Sequence, residues 1–115
     1  MTDPRPLSDH LPLHPFEFRI LMALLDGPSY GTRIVEQIEA RVGSREKIYP
    51  ANLYRRIRDL LRNGLVEETA APEGVDPRRT YVRLTPEGRH VVRAEAQRLK
   101  ELLEDAAGHQ LLPEA

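Results

Sequence analysis

The chain has no cysteine and no tryptophan, and aromatic residues make up 5% of its 115 residues. Without cysteine it can form neither a disulfide nor a zinc–cysteine site, and it has no thiol nucleophile. Its longest apolar run, Ile20–Leu25, is far shorter than the roughly 20 residues of a transmembrane helix. The N-terminal segment MTDPRPLSDHLPLH has prolines and acids where a secretory signal would have an apolar core. These absences predict a cytoplasmic protein with no membrane segment.

The sequence also lacks the pattern of a catalytic or metal site. Its histidines do not converge with a serine, a carboxylate pair or a metal-ligand spacing. They are His10, His14, His90 and His109. A glycine-rich phosphate-binding loop is missing as well. We therefore expect neither an enzyme nor a bound cofactor or metal.

What the chain does have is an uneven distribution of charge. Its 40% hydrophobic and 30% charged residues are typical of one globular domain, and its net charge of −1 argues against indiscriminate binding to nucleic acid. Residues 45–62, however, contain six basic and two acidic residues, and residues 76–93 contain five arginines and two acids. From residue 94 onward, two basic residues occur with five acids. This distribution predicts one surface that faces a polyanion.

Residues 50–64, PANLYRRIRDLLRNG, have the pattern of an amphipathic helix. Pro50 suits its first turn, and Gly64 suits a left-handed C-cap. The apolar side is formed by Leu53, Ile57, Leu60 and Leu61. The other faces carry Asn52, Arg55, Arg56, Arg58 and Arg62. Arginine binds guanine edges or phosphates and asparagine pairs with adenine, so the pattern predicts a recognition helix for DNA. A plain solvated face is the alternative, although such a face more often mixes both signs of charge.

Two further helices are predicted before this segment. The first begins at Pro15, with His14 as its cap, and runs to about Leu25. The second is capped by Ser29, which places Tyr30 in its first turn. The Tyr30 side chain either packs within the domain or reaches a DNA phosphate with its hydroxyl, and the sequence leaves both readings open.

A β-hairpin is predicted after the recognition helix, where the period changes from helical to alternating. Residues 65–69 and 80–84 have the pattern of strands, and AAPEGVDPRR between them is a loop too long for a tight turn. Two strands with a protruding loop after a helix-turn-helix form a wing. Arg78 and Arg79 return from the loop, and either contact the DNA minor groove and phosphates or keep an edge strand soluble. We favour the DNA role.

The last predicted helix starts at Thr85 and persists to about Ala107, with Pro86 at its first position. Along this helix runs an apolar seam with coiled-coil spacing, formed by Val92, Ala96, Leu99, Leu103 and Ala106. Such a seam either packs on its own domain or joins two subunits. A helix of about 20 residues is about 30 Å long, more than this small domain can cover, so we favour a homodimer.

Together these patterns predict a mainly α fold with a small β-hairpin, namely a winged helix-turn-helix domain with an added C-terminal dimerisation helix. The predicted divisions are a mobile arm (1–13), the DNA-binding domain (14–84), the dimerisation helix (85–107) and a frayed tail (108–115). Winged-helix folds also serve as protein-interaction modules without DNA binding. The arginines and the asparagine on the third helix favour double-stranded DNA as the partner.

Four pieces of the chain resemble the PadR family of transcriptional regulators. They are the leucine-rich first helix with GPSYG (27–31), NLYRRIRDLLRNGLVEE (52–68), RRTYVRLTPEGR (78–89) and the terminal helix. The resemblance covers about Pro15 to Leu103, and its motifs are specific jointly rather than singly. It implies a homodimer joined by the C-terminal helix, with one recognition helix per subunit in a palindromic operator. It also implies repression of transcription, which in many members is released by a small molecule.

Matched by position, the resemblance implies roles for single residues. Tyr30 and Tyr54 match tyrosines near the DNA backbone, and Arg78 and Arg79 match a basic wing. Asn52, Arg55 and Arg56 match groove-facing positions. With Arg58 from the helix pattern, the candidate DNA contacts are Tyr30, Asn52, Tyr54, Arg55, Arg56, Arg58, Arg78 and Arg79.

The chain departs from the family pattern around its leucine-tyrosine pair. The family commonly has glycine-threonine before that pair and proline after it, whereas here Asn52 precedes it and Arg55 follows. We therefore expect a different preference for DNA sequence. Some short members bind planar compounds between tryptophans at the dimer seam, and this chain has none, so we expect no such pocket. Whether a small molecule or a protein acts as effector stays open.

Overall fold

The computed structural model describes residues 6–43, 48–72 and 79–113, and these residues form four α-helices, one 3-10 helix and one β-hairpin. In chain order they are a 3-10 helix at Leu7–His10, α1 at Pro15–Ala23, α2 at Gly31–Val42, α3 at Pro50–Arg62, β1 at Val66–Thr69, β2 at Tyr81–Leu84 and α4 at Pro86–Gly108. The predicted mainly α fold with a small hairpin is confirmed. No helix in the described ranges is long and apolar enough to cross a membrane.

Two helices begin at the capping residues that the sequence predicts. His14 precedes α1, and its Nδ1 accepts the backbone N–H of Phe16 at 3.1 Å. Thr85 precedes α4, and its hydroxyl oxygen accepts the N–H of Gly88 at 2.9 Å. Gly64 follows α3 with a φ of +75°, the left-handed conformation expected of a glycine C-cap. Because α3 also begins at the predicted Pro50, both of its ends are where the sequence predicts them.

The start of α2 differs from the prediction. Ser29 does not cap the helix, because it exchanges two backbone hydrogen bonds with Val82 of β2, at 3.0 and 2.9 Å. Tyr30 takes the N-cap position without a side-chain cap, and α2 begins at Gly31. The bridge adds Ser29 to the antiparallel β1–β2 hairpin. Local sequence could not reveal it, because the partner of Ser29 lies far along the chain.

The hydrophobic core lies between the first three helices, the hairpin and the first half of α4. Its buried members include Ile20, Leu21, Leu24, Ile34, Ile38, Leu65, Val91 and Val92. Leu53, Ile57 and Leu60 form the side of α3 that packs into it, as the sequence predicts. Burial of this apolar stripe holds α3 in place and turns its other faces outward.

The segment before α1 also differs from the prediction of a mobile arm. The 3-10 helix contacts α4, and the N–H of Leu13 donates to Oε2 of Glu95 at 2.7 Å. Glu95 is 1% exposed and forms a salt bridge with Arg98. His10 is buried too, with its Nε2 3.9 Å from Oε1 of Glu87. The hydrogen bond from Leu13 to Glu95 and the burial of His10 therefore hold this segment against the domain, while residues 1–5 lie outside the described residues.

Candidate nucleic-acid interface

The outward face of α3 carries three polar side chains that the rest of the subunit leaves unoccupied. Asn52, Arg55 and Arg58 are all exposed. Their side chains form no hydrogen bond or ion pair with any other residue that the structure describes. An arginine without an internal partner keeps all its N–H donors available to an external acceptor. This face of α3 therefore presents two guanidinium groups and one amide to solvent.

Arg56, another predicted DNA contact, already has a partner within the subunit. Its Nη1 lies 3.4 Å from Oε1 of Glu17 in α1, and both side chains are largely buried, with 21% and 16% exposed. The cause is its position on the helix, since Arg56 follows Leu53 by three residues and precedes Leu60 by four. It therefore borders the apolar stripe and ties α3 to α1. The same spacing, read in the sequence, could have separated Arg56 from Arg55 and Arg58.

The Tyr54 side chain extends from α3 toward the first turn of α2. Its side chain is 52% exposed, and the hydroxyl end of its ring lies against Gly31. A Cβ at Gly31 would be 2.8 Å from Cε1 of Tyr54 and 3.0 Å from its hydroxyl oxygen. The phenol of the recognition helix thus touches the start of the preceding helix, where backbone N–H groups have no helical partner.

The hairpin contributes Arg79 to the same region. Its guanidinium carbon lies 4.3 Å from the centroid of the Tyr30 ring, a cation–π contact. The Tyr30 ring also meets Tyr81 edge-on, with centroids 5.2 Å apart. Of the two readings of Tyr30, the geometry therefore favours packing, because the ring supports Arg79 and Tyr81. Arg78, the other predicted wing contact, lies outside the described residues.

These side chains surround a concavity of about 290 Å³ where α2, α3 and the hairpin meet. Its lining residues are Tyr30, Gly31, Thr32, Tyr54, Arg79 and Thr80, and none of these is acidic. The sequence pattern and the resemblance indicated the tyrosines and the arginine as contacts, but not Gly31, Thr32 or Thr80.

A second surface lies along the other half of α4. An apolar groove of about 440 Å³ runs between α1 and α4, lined by Phe18, Ala96, Leu99, Lys100, Leu103, Glu104 and Ala107. Leu103 is 55% exposed, and Ala106 is partly exposed beside it. Val92 is the exception among the predicted seam residues, because it is 4% exposed and belongs to the subunit's own core. The first half of α4 is covered by its own domain, so the open part of the seam begins at Ala96.

Three helices, a hairpin packed after them and an exposed basic third helix define a winged helix-turn-helix protein. The sequence profile described as "Transcriptional regulator PadR-like family" matches residues 20–94, more than half of the chain. The chain belongs to this family and is a transcriptional regulator. The family consists of transcriptional regulators rather than enzymes.

Solved structures of similar shape agree with this assignment. A transcriptional regulator from Clostridium thermocellum is 29% identical, with a TM-score of 0.68 over 81% of this chain and 86% of that one. A PadR family regulator from Clostridium difficile is 19% identical, with a TM-score of 0.71 over 84% and 99% of the two chains. Bacillus subtilis PadR, solved in complex with operator DNA, is 18% identical, with a TM-score of 0.61 over 72% and 46%. At the low sequence identities of the last two proteins, the similarity shows a shared fold only. None of the curated proteins is significantly similar in sequence.

Proposed function

We propose that this regulator binds double-stranded DNA in a sequence-specific manner, as a homodimer on a palindromic operator, and represses transcription. The observation that carries the proposal is the set of unpartnered polar side chains on α3, Asn52, Arg55 and Arg58. The second helix of a helix-turn-helix lies in the major groove, where such side chains contact the bases. The structure of Bacillus subtilis PadR with operator DNA supports DNA as the partner, because it has the same fold.

The proposed contacts divide into base reading and phosphate binding. Asn52 and Arg55 read base edges, because amide and guanidinium groups make paired hydrogen bonds to adenine and guanine. Arg58, farther along α3, contacts the DNA backbone. Tyr54 and Arg79, which line the same concavity, bind phosphate. Arg78 keeps its predicted role as a wing contact and lies outside the described residues. Tyr30 acts by holding Arg79, and Arg56 serves the subunit's own packing.

The proposed dimer forms through the open half of α4. Ala96, Leu99, Leu103 and Ala106 provide its apolar surface, and Phe18 of α1 widens it. An exposed apolar groove of this kind is stabilised when a second copy covers it. Pairing of two subunits would set the recognition helices about 34 Å apart, one turn of B-DNA. A dimer bound across a promoter would exclude polymerase and so repress transcription.

The test begins with selection of a preferred duplex from a random-sequence library. Binding of that duplex and of a mixed-sequence duplex is then measured by fluorescence anisotropy at several salt concentrations. Arg55→Ala should cost about 1–3 kcal/mol on the selected duplex and relax preference at one base step. Arg79→Ala should weaken both duplexes alike and flatten the salt dependence, because it removes a phosphate contact.

Arg93→Ala is the matched control, since Arg93 is exposed on α4 outside both proposed contact groups. It should bind both duplexes nearly as the parent does. If the parent binds neither duplex at low salt, DNA binding is refuted and the protein-interaction alternative takes its place. If the parent binds and both arginine variants match it, the assigned roles are wrong.

A further inference from the structure

We propose that Gly31 is a positioning residue for DNA binding, because the lack of a side chain there leaves the Tyr54 hydroxyl in the concavity that Arg79 also lines, where both donate to one DNA phosphate. The inference rests on the proposed DNA-binding function. Under this proposal, the adjacent residues Tyr30 and Gly31 each position one phosphate-binding side chain. Tyr30 holds the arginine of the hairpin, and Gly31 receives the tyrosine of the recognition helix.

The distances show that Gly31 is needed for space rather than for backbone freedom. Gly27, Gly43 and Gly64 have positive φ angles, whereas Gly31 begins a regular helix. A Cβ at Gly31 would lie 2.8 Å from Cε1, 3.0 Å from Oη and 3.1 Å from Cζ of Tyr54. All three atoms belong to the hydroxyl end of the ring. Alanine would therefore push away the part of Tyr54 that can donate a hydrogen bond.

The clash can be relieved without unfolding, because Tyr54 is half exposed and its ring can turn toward solvent. The buried residues of α3, Leu53 and Ile57, need not move. Gly31→Ala should therefore change where the hydroxyl lies more than it changes the fold. The effect of Gly31→Ala on DNA binding can therefore be measured in a variant that still folds.

The chemistry of the concavity fits a phosphate. Phosphate oxygens accept hydrogen bonds, and the phenol of Tyr54 and the guanidinium of Arg79 both donate them. Thr32 adds a hydroxyl at the first turn of α2, and none of the described residues that line the space carries a carboxylate. Because the two donors come from different elements, their convergence depends on residues 30 and 31, which contact one each.

The experiment is a double-mutant cycle of Gly31→Ala and Tyr54→Phe, read by anisotropy on the selected and the mixed-sequence duplexes. Each single variant should weaken both duplexes by about tenfold, the effect of losing one hydrogen bond to a charged group. The double variant should bind no more weakly than Tyr54→Phe alone, because displacement of a ring without a hydroxyl costs no phosphate contact. Gly108→Ala is the control, since a Cβ there meets nothing within 4 Å.

The outcomes separate this inference from the function it rests on. A parent that binds no duplex refutes both. A parent that binds, with a Gly31→Ala variant that matches it, refutes the inference alone, as does a double variant weakened about a hundredfold by additive effects. Circular dichroism establishes that each variant is folded. If Gly31→Ala unfolds, Tyr54→Ala in the same chain should restore folding, and a lack of rescue would also overturn the proposal.

Discussion

At the scale of single residues, Glu95 shows how one carboxylate can organise two segments of the chain. It lies on the core side of α4, accepts the N–H of Leu13 and pairs with Arg98. The hydrogen bond from Arg98 to Glu95 raises the pKa of the guanidinium above its ordinary value. A raised pKa in the folded state keeps the arginine charged, and its stabilising contribution would be lost only as the pH rises through that pKa. The charge of Arg98 is therefore constant at physiological pH.

We predict that Glu95→Ala lowers the free energy of unfolding by about 2–3 kcal/mol, because it leaves a buried N–H without an acceptor and removes the partner of Arg98. Urea denaturation followed by circular dichroism measures the change. Glu101→Ala, an exposed glutamate on the same helix, should stay within about 0.5 kcal/mol of the parent. Equal losses in the two variants would show that the contact of Leu13 with Glu95 adds nothing.

Arg55 and Arg56 illustrate what single residues reveal in the sequence and what they do not. The helix pattern and the family resemblance assigned both to DNA, but of the two only Arg55 has no partner among the described residues. The difference comes from the partner of Arg56, Glu17, which lies in another helix. Tyr54 and Arg79 were likewise predicted as contacts, but the residues that position them were not. Tyr54 needs the space left by the missing side chain of Gly31, and Arg79 lies over the ring of Tyr30. Sequence periodicity reports neither contact.

At the scale of elements, Thr85, the N-cap of α4, joins that helix to the backbone just before β1. The Thr85 hydroxyl donates to the carbonyl oxygen of Gly64 at 2.7 Å, and the Thr85 N–H donates to that of Leu65 at 3.1 Å. A Cβ at Gly88 would lie 2.0 Å from the Leu65 carbonyl oxygen. The first turn of α4 is thus seated directly on the start of the wing, with no room for a side chain between them.

We predict that Gly88→Ala costs about 3 kcal/mol or more of stability, because the added methyl group meets backbone that cannot turn aside. Thermal and urea denaturation both measure it. Gly108→Ala places the same change on the same helix in open space, and it should be neutral or stabilise by up to about 1 kcal/mol through helix propensity. A Gly88→Ala variant as stable as the parent would contradict this account of the junction.

The elements themselves were largely predictable from the sequence. Helical period, proline and the caps at His14, Thr85 and Gly64 located α1, α3 and α4, and alternation located both strands. The misses are contacts between distant segments. The N-terminal segment has no period of its own and is ordered by Glu95, while Ser29 is drawn into the hairpin by Val82. Local patterns carry no information on such partners.

At the scale of the whole molecule, α4 has two halves with different surroundings. The first half is buried in its own domain through Val91 and Val92, and the second leaves Leu102 and Leu103 exposed beside the apolar groove. A monomer would keep this apolar surface in water. The unequal halves therefore favour a two-subunit assembly whose contact begins at Ala96 and includes α1.

We predict that Leu103→Asp converts a dimer into a monomer, because a carboxylate in an apolar contact loses its hydration without a partner. Analytical ultracentrifugation measures the mass, and anisotropy should show weaker binding to a palindromic duplex, since each half-site is then bound alone. Leu111→Asp, which changes an exposed leucine beyond the end of α4, should remain dimeric. A parent that sediments as a monomer would refute the proposed assembly.

The bridge between Ser29 and Val82 has a mechanical consequence for operator choice. Because both backbone groups of Ser29 are bonded to β2, the hairpin cannot hinge away from the start of α2 without breaking them. In the proposed complex, each subunit would therefore meet the double helix as one rigid unit, with a constant distance between the proposed base-reading residues and the hairpin. Tolerance for half-sites that are closer or farther apart would then come from movement between the two copies of the proposed dimer.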